Sequence, residues 1–109
     1  LGGVGNYLRS EILCDAGIDP ERRPMDLGPD ERMRFARAAI TVSQRAYRTR
    51  GVTREPGYAE RQRRRGRPRR EYRHYVFGRA GQECPRCGDI VSRRTVAGRR
   101  LYGCPSCQR

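Results

Sequence analysis

The sequence predicts a small α+β chain in which a helical N-terminal region is followed by a C-terminal β-ribbon clamped by a metal ion. Two segments in the first half repeat apolar residues at the three- and four-residue spacing of a helix. Two Cys-x-x-Cys pairs, separated by sixteen residues, close the chain and are typical of a metal-bound ribbon. Only 35% of the residues are hydrophobic and the mean hydropathy is −0.98. Such a chain needs a clamp because it cannot bury a large core.

The charge of the chain indicates a polyanionic partner. Its 109 residues carry a formal net charge of +13, and all 25 basic residues are arginine. Arginine presents a planar fork of donors that matches phosphate, and it keeps its charge when partly desolvated. Nucleic acid is therefore favoured over the alternative of a basic surface that only confers solubility. No apolar run approaches a membrane span, and no signal-peptide pattern opens the sequence.

The first helix is predicted at residues 6–16. Asn6 is suited to cap its N-terminus, because its side-chain oxygen can accept a hydrogen bond from an amide of the first turn. Gly17 is a natural stop, and Arg9 and Glu11 are predicted to face solvent. The apolar face comprises Tyr7, Leu8, Ile12, Leu13 and Ala16.

A second, longer helix is predicted at residues 29–49 and completes a helical region at residues 1–52. Asp26 or Asp30 is suited to cap it, with Pro29 in its first turn. An apolar stripe along this helix is predicted to pack into the core. The stripe comprises Met33, Ala36, Ile40, Ser43 and Tyr47.

Residues 53–70 are predicted to form an arginine-rich linker. The run ERQRRRGRPRRE offers few apolar residues, and Gly66 and Pro68 interrupt it. Because like charges repel, the segment is expected to be mobile without a partner. Two interpretations remain open, a solvated linker without specific contacts and an arm that binds phosphates.

Residues 71–109 are predicted to form a four-cysteine zinc finger. Its ligands are spaced C-x2-C-x16-C-x2-C, which lets two tight turns at the ends of a ribbon aim four thiolates at one ion. Four protein ligands close a tetrahedral shell, so the single Zn²⁺ is expected to be structural and not catalytic. This spacing favours a metal over disulfides, and hence a reducing compartment such as the cytoplasm. The ligands are Cys84, Cys87, Cys104 and Cys107.

Other residues of the finger and its surroundings receive packing roles. Cys14 is interpreted as a small packing residue, and His74 as a packing or hydrogen-bonding residue because the cysteines already complete the metal shell. Residues 75–77 are predicted to be a short strand or an extended packing segment, and a hairpin bend is predicted at Ala97 and Gly98.

The predicted ribbon also carries arginines that a rigid hairpin can direct at phosphates or into a groove. The alternative is a ribbon that contacts protein, which the density of arginine disfavours. The arginines are Arg93, Arg94, Arg99 and Arg100.

Two separated stretches resemble the formamidopyrimidine-DNA glycosylase/endonuclease VIII family of bifunctional base-excision repair enzymes. The stretch GGVGNYLRSEIL, residues 2–13, is similar to the glycine-rich turn and second helix of the family's helix–two-turns–helix motif. Residues 72–108 resemble its C-terminal zinc finger. The resemblance implies a helix–two-turns–helix region whose first helix would precede Leu1, followed by the finger. The sequence is thus expected to be the DNA-binding C-terminal half of a longer DNA glycosylase and AP lyase.

The resemblance also implies DNA contacts. In the family, an asparagine of a Gly-x-Gly-Asn turn and an arginine near the ribbon tip hold the DNA backbone around a flipped nucleotide. Here these roles fall on Asn6 and Arg99, with Arg100 as the competing choice. The amides around Gly3 and Gly5 would lie at a helix N-terminus, where anions are favoured. The implied partner is double-stranded DNA with a damaged base or abasic site, bound by a monomer associated with the nucleoid.

The family's catalytic groups are an N-terminal proline and the glutamate after it, and Leu1-Gly2 does not match them. The chain alone is therefore expected to be inactive. The stretches GNYLRSEIL and TRGV resemble endonuclease VIII, which implies oxidised pyrimidines as substrates. The alternatives are a zinc-ribbon RNA-binding module of the tRNA synthetase or ribosomal type, which would account for one motif only, and a ribbon that binds protein.

Overall fold

A computed structural model describes residues 2–109, and the side chains of residues 2–6 and of Pro24 lie outside the described part. Three helices precede one antiparallel ribbon among these residues, which confirms the predicted α+β class. None of the described helices is long and apolar enough to cross a membrane. The helices are α1 Gly2–Ala16, α2 Pro29–Thr49 and α3 Pro56–Arg64, and the strands are β1 Ser92–Val96 and β2 Arg99–Gly103. Short 3-10 turns lie at Pro24–Asp26 and Arg69–Glu71.

Helix α1 begins earlier than predicted. Its backbone is helical from Gly2, so Asn6 lies inside the helix and the prediction that it caps the N-terminus is wrong. Carbonyls one turn upstream accept the hydrogen bonds that a capping side chain would otherwise accept. The predicted stop is confirmed, since Gly17 has a φ of +72° and the Ile18 amide bonds the Leu13 carbonyl at 3.0 Å.

Helix α2 has the predicted extent but not the predicted cap. Gly28, and neither Asp26 nor Asp30, is the N-cap residue. The carboxylate of Glu31 reaches back to accept from the Gly28 amide at 3.0 Å, which is the backbone half of a capping box. The same carboxylate binds both terminal nitrogens of Arg22 at 2.9 Å, so the start of α2 is tied to the preceding connection.

The face of α2 that packs against α1 is not the predicted apolar stripe. The buried residues are Ala38, Val42 and Ala46, whereas Ile40 is 61% exposed and Tyr47 is 89% exposed. All five members of the predicted stripe are exposed. Both stripes have helical spacing, and the small one faces inward because alanines allow the backbones of α1 and α2 to approach closely.

Helix α3 lies within the segment that was predicted to be mobile. Pro56 occupies its first turn, where the missing amide of proline costs nothing. Glu60 pairs with Arg63 at 2.7 Å and with Arg64 at 3.1 Å, so one acidic residue relieves part of the arginine repulsion. Residues 56–64 are therefore helical, because the spacing of Glu60 from Arg63 and Arg64 offsets part of the repulsion that the number of arginines implied.

One buried carboxylate joins the helices to the ribbon. Glu11 is fully buried, which corrects the prediction that it faces solvent. It accepts hydrogen bonds from the amides of Tyr75 at 2.6 Å, Val76 at 2.8 Å and Phe77 at 3.1 Å, and the Thr53 hydroxyl donates to it as well. Residues 75–77 pack into the core but follow a bend and the start of a turn, in which the Arg79 amide donates to the Val76 carbonyl at 3.0 Å. The prediction of a strand or an extended segment here is therefore wrong, because three consecutive amides turn toward one carboxylate.

The helical region and the ribbon share a hydrophobic core around this joint. Cys14 of α1 is buried together with Val76 and residues of the ribbon, as predicted for a packing cysteine. The Gln108 side chain donates to the Ile18 carbonyl at 2.9 Å, and the Arg109 amide donates to the Gly17 carbonyl at 3.1 Å. The C-terminus is therefore fastened to the end of α1. The ribbon residues of this core are Cys84, Val91, Tyr102 and Cys104.

We expect Glu11→Gln to lower the free energy of unfolding by about 3 kcal/mol, because it turns one acceptor oxygen into a donor that faces buried amides. Chemical unfolding of the metal-loaded protein measures this. Glu83→Gln, at an exposed position with no ion pair among the described residues, is the matched control and should leave stability close to that of the wild type. Wild-type stability in Glu11→Gln would contradict the proposed joint.

Candidate metal centre and arginine surface

The four cysteines of the ribbon converge on one point. Their sulfur atoms all lie within 4.8 Å of one another. The Cys84 and Cys107 sulfurs are 3.9 Å apart, and those of Cys87 and Cys104 are 3.4 Å apart. A tetrahedron of thiolates about 2.3 Å from a metal has sulfur–sulfur edges of about 3.8 Å. The observed separations fit a tetrahedral metal ion bound by four thiolates.

Each Cys-x-x-Cys turn also directs backbone amides at its first sulfur. The amides of Arg86 and Cys87 donate to the Cys84 sulfur, and the pKa of this thiol is lowered although its desolvation acts in the opposite direction. Burial raises the pKa of Cys104, and the amides of Ser106 and Cys107 partly offset this. These amide dipoles stabilise thiolates, the form that binds a metal.

The remaining cysteine and the single histidine lie near the centre but serve the packing. Burial raises the pKa of the Cys14 thiol, so this group stays protonated in the core. His74 stacks on Tyr7 with ring centroids 4.9 Å apart, and its Nδ1 lies 3.1 Å from the Thr53 hydroxyl oxygen. Burial, together with the charges of Arg73 and Arg69, lowers the pKa of His74 to about 4. His74 is therefore neutral at pH 7 and packs as predicted.

The hairpin places two adjacent arginines on opposite faces of the ribbon. Ala97 and Gly98 form the bend, with φ values of 51° and 78°, as in a type I′ turn. Arg99 pairs with Val96 at the end of the ribbon, and Arg100 is the next residue along the strand. Because successive strand residues alternate sides, Arg99 lies on one face and Arg100 on the other. Both are exposed.

A third ribbon arginine has carboxylate partners within the protein. Arg94 forms ion pairs with Glu21 and with Asp19, the latter at 3.3 Å. These contacts hold the ribbon against the connection between α1 and α2. Arg93, on the opposite face and paired with Tyr102 across the ribbon, is exposed. The prediction of four similar arginines is thus wrong for Arg94, whose charge is compensated locally.

The remaining residues predicted to contact DNA lie at the start of α1. The side chain of Asn6 lies outside the described residues, and Gly5 lies in the first turns of α1. Amides at the start of a helix lack intrahelical acceptors, and with α1 beginning at Gly2 this applies to Gly3 and not to Gly5. The role of Gly3 and Gly5 near an anion stays a prediction. The assignment of Asn6, Arg99 and Arg100 to phosphates stays a prediction.

Two buried charged residues, Glu11 and Arg54, were not predicted from the sequence. Glu11 shares a helix face with Tyr7 and Cys14, at spacings of four and three residues, and this spacing was an available signal that it faces the core. Arg54 is only 7% exposed, and its guanidinium lies 3.9 Å from the Tyr58 ring and 4.6 Å from the Tyr75 ring. Because Arg54 lies within an arginine-rich segment, its burial could not be predicted from the sequence around it.

Comparison with known proteins gives one consistent group, although no family model matches the chain. Endonuclease 8 of an Enterobacter species is 35% identical over 109 residues, covering all of this chain and 38% of that protein. Endonuclease 8 of Klebsiella pneumoniae is 35% identical over 108 residues, covering 99% of this chain and 38% of that protein. The chain spans about two fifths of the length of these curated relatives.

Solved structures give the same result. The Thermus thermophilus MutM (Fpg) protein superposes with a TM-score of 0.75 and 36% identity, over 95% of this chain and 39% of that one. The Lactococcus lactis Fpg protein, in complex with DNA containing an oxidised pyrimidine, superposes with a TM-score of 0.74 and 28% identity over 96% of this chain and 36% of that one. The likeness therefore extends across helices and ribbon together.

We expect one divalent metal ion per chain, lost in Cys87→Ser, because the exposed Cys87 contributes a ligand and little packing. Metal analysis and the visible absorption of the Co²⁺-substituted protein measure this. Cys14→Ala is the control, since it removes a buried thiol of the same core and leaves all four ligands. Equal metal content in Cys87→Ser and the wild type would refute the tetrathiolate site.

Proposed function

We propose that this chain belongs to the formamidopyrimidine-DNA glycosylase/endonuclease VIII family and is the DNA-binding region of a base-excision repair glycosylase and AP lyase. The observation that carries this proposal is the match to Endonuclease 8 along the whole chain, combined with a four-cysteine site under an arginine ribbon. An RNA-binding zinc ribbon would account for the ribbon alone. The relatives are bacterial, which agrees with a cytoplasmic protein acting at the nucleoid.

We assign the metal as zinc. Four thiolates at tetrahedral spacing fit Zn²⁺. The ion would supply folding free energy and no reaction step, since its shell has no open position. Cys84, Cys87, Cys104 and Cys107 would hold it.

The rigid ribbon suits a protein that must hold DNA in a strained conformation. Extruding a damaged base costs a few kcal/mol, and phosphate contacts beside the lesion can offset that cost. The ribbon is fixed at its base by two cysteine turns and along its side by Arg94, so Arg99 meets a phosphate with little loss of conformational freedom. Arg99, with Arg100 as the alternative, and Asn6 with the amides around Gly5 would grip the backbone on either side of the flipped nucleotide.

The chemistry would come from residues outside this sequence. The family's proline amine and its neighbouring glutamate have no counterpart at Leu1-Gly2. The similarity to Endonuclease 8 favours oxidised pyrimidines as the lesion class, whereas the similar Fpg structures hold both oxidised-pyrimidine and 8-oxo-G DNA. We expect the protein to act on damaged duplex DNA as a monomer.

We expect the chain alone to bind duplex DNA and to form no covalent complex with it. Borohydride trapping on an abasic or thymine-glycol duplex should give no adduct with this chain and a clear one with the full-length protein. The sequence contains no lysine, and Leu1-Gly2 does not match the family's Pro-Glu pair, so no side-chain amine is present to form a Schiff base. A trapped adduct with the chain alone would contradict the proposal that this chain binds DNA while the catalytic groups lie outside it.

In the full-length protein, Arg99→Ala should weaken lesion binding by on the order of tenfold and reduce the salt slope by about one, because one phosphate contact is lost. Fluorescence anisotropy across a salt series measures both quantities. Arg23→Ala is the control, since Arg23 pairs with Asp26 at 3.0 Å and its charge is compensated locally. If Arg100→Ala is defective and Arg99→Ala is not, the contact belongs to the opposite face of the ribbon.

A further inference from the structure

Arg54 is a buried cation with an unsatisfied donor. Its side chain is 7% exposed, and its Nε is buried without a hydrogen-bond partner among the described residues. No carboxylate of residues 7–109 lies within ion-pairing distance of its guanidinium. A buried guanidinium in this state is costly unless an anion compensates it.

Two tyrosines restrict the direction from which a partner can approach. The Arg54 guanidinium lies 3.9 Å from the Tyr58 ring centroid and 4.6 Å from that of Tyr75. Rings stacked on a guanidinium cover its faces and leave the in-plane N–H groups for hydrogen bonding. That edge-on fork matches an oxyanion that accepts two parallel hydrogen bonds.

Two further guanidinium groups line an open cleft beside Arg54. Arg54, Tyr58, Arg79 and Arg86 line a cleft of about 490 Å³ beside the first cysteine turn. Arg86 also contacts the Tyr75 ring, at 4.7 Å from its centroid. Two cations that share one aromatic ring repel each other unless negative charge lies between or beside them.

The charges around the cleft leave it positive. Arg86 pairs with Asp15 at 2.7 Å, and the rim residue Glu71 pairs with Arg67 at 3.7 Å. Arg79 donates to two backbone carbonyls and not to a carboxylate of the described residues. Arg54 also attracts the buried carboxylate of Glu11, but the oxygens of that carboxylate already accept hydrogen bonds from the Thr53 hydroxyl and from the amides of residues 75–77. The exposed carboxylate of Glu83 lies at the rim of the cleft.

We propose that this cleft is a binding site for a phosphate oxyanion, held by the terminal N–H groups of Arg54 with support from Arg79 and Arg86. A tetrahedral phosphate offers oxygens to three converging guanidiniums, whereas a carboxylate offers only two oxygens. The phosphate is either free inorganic phosphate or part of a nucleic-acid backbone. The cleft is lined by residues of α3 and of the first cysteine turn. It is separate from the ribbon tip, to which the DNA contact of Arg99 or Arg100 is assigned.

The test follows the arginine Nε–H resonances of the metal-loaded protein during titration with inorganic phosphate at constant ionic strength. The Arg54 resonance should shift with saturation. In Arg54→Met, which keeps an apolar stem between the rings, phosphate should bind about tenfold more weakly by the remaining arginine resonances. Arg61→Met, which removes an exposed arginine of α3, should bind phosphate like the wild type. A linear, unsaturable response, or equal affinity in Arg54→Met, would overturn the site.

Two further experiments control for a change in folding and identify the source of the phosphate. If Arg54→Met loosens α3, Arg54→Lys retains the charge and loses the fork, and it should still bind more weakly than the wild type. A short duplex is then added before phosphate. An Arg54 shift caused by the duplex and insensitive to phosphate identifies a DNA phosphate, whereas a shift by phosphate on the duplex complex identifies the free ion. The first titration measures phosphate binding by the protein without DNA. A failure to bind phosphate would overturn the cleft site and would not affect the proposed DNA contacts of the ribbon.

Discussion

The carboxylate of Glu11 accepts hydrogen bonds from three consecutive amides in the segment that leads into the cysteine ribbon. Burial raises the pKa of Glu11, and the hydrogen bonds from Thr53 and from the amides of Val76 and Phe77 act against that rise. The contact is costly to break, because every group in it would be left buried and unpaired. It fixes how the ribbon stands on α1, and the position of every ribbon arginine depends on it.

Arginine has two separate uses in this chain. Some arginines are structural: Arg22 clamps the start of α2 through Glu31, Arg69 donates to the Thr49 carbonyl near the end of α2, and Arg94 ties the ribbon to Glu21. Others, such as Arg99 and Arg100, remain exposed. With only 12 acidic residues, the chain can neutralise part of its positive charge locally and keep an excess for a polyanion.

The cysteine site and the hydrogen bonds of Glu11 both stabilise a chain whose hydrophobic core is small. Two turns converge four sulfurs at the base of a ribbon, and the core around that base includes Cys14 of α1. The ribbon is therefore an integral part of the fold and not an independent appendage. A rigid arm of this kind can hold a strained DNA backbone, because little conformational entropy remains to be lost on binding.

Local patterns in the sequence determined the α+β class, the stop of α1 at Gly17, the ribbon bend and the four convergent cysteines, because spacing and turn chemistry act over a few residues. The sequence alone did not decide which stripe of α2 faces inward, since Met33 and Ala38 both lie on helically spaced stripes. Glu11 and Arg54 looked like ordinary surface charges for the same reason. Their burial depends on amides and rings more than sixty and about twenty residues away, respectively. Only the tertiary structure brings those groups together.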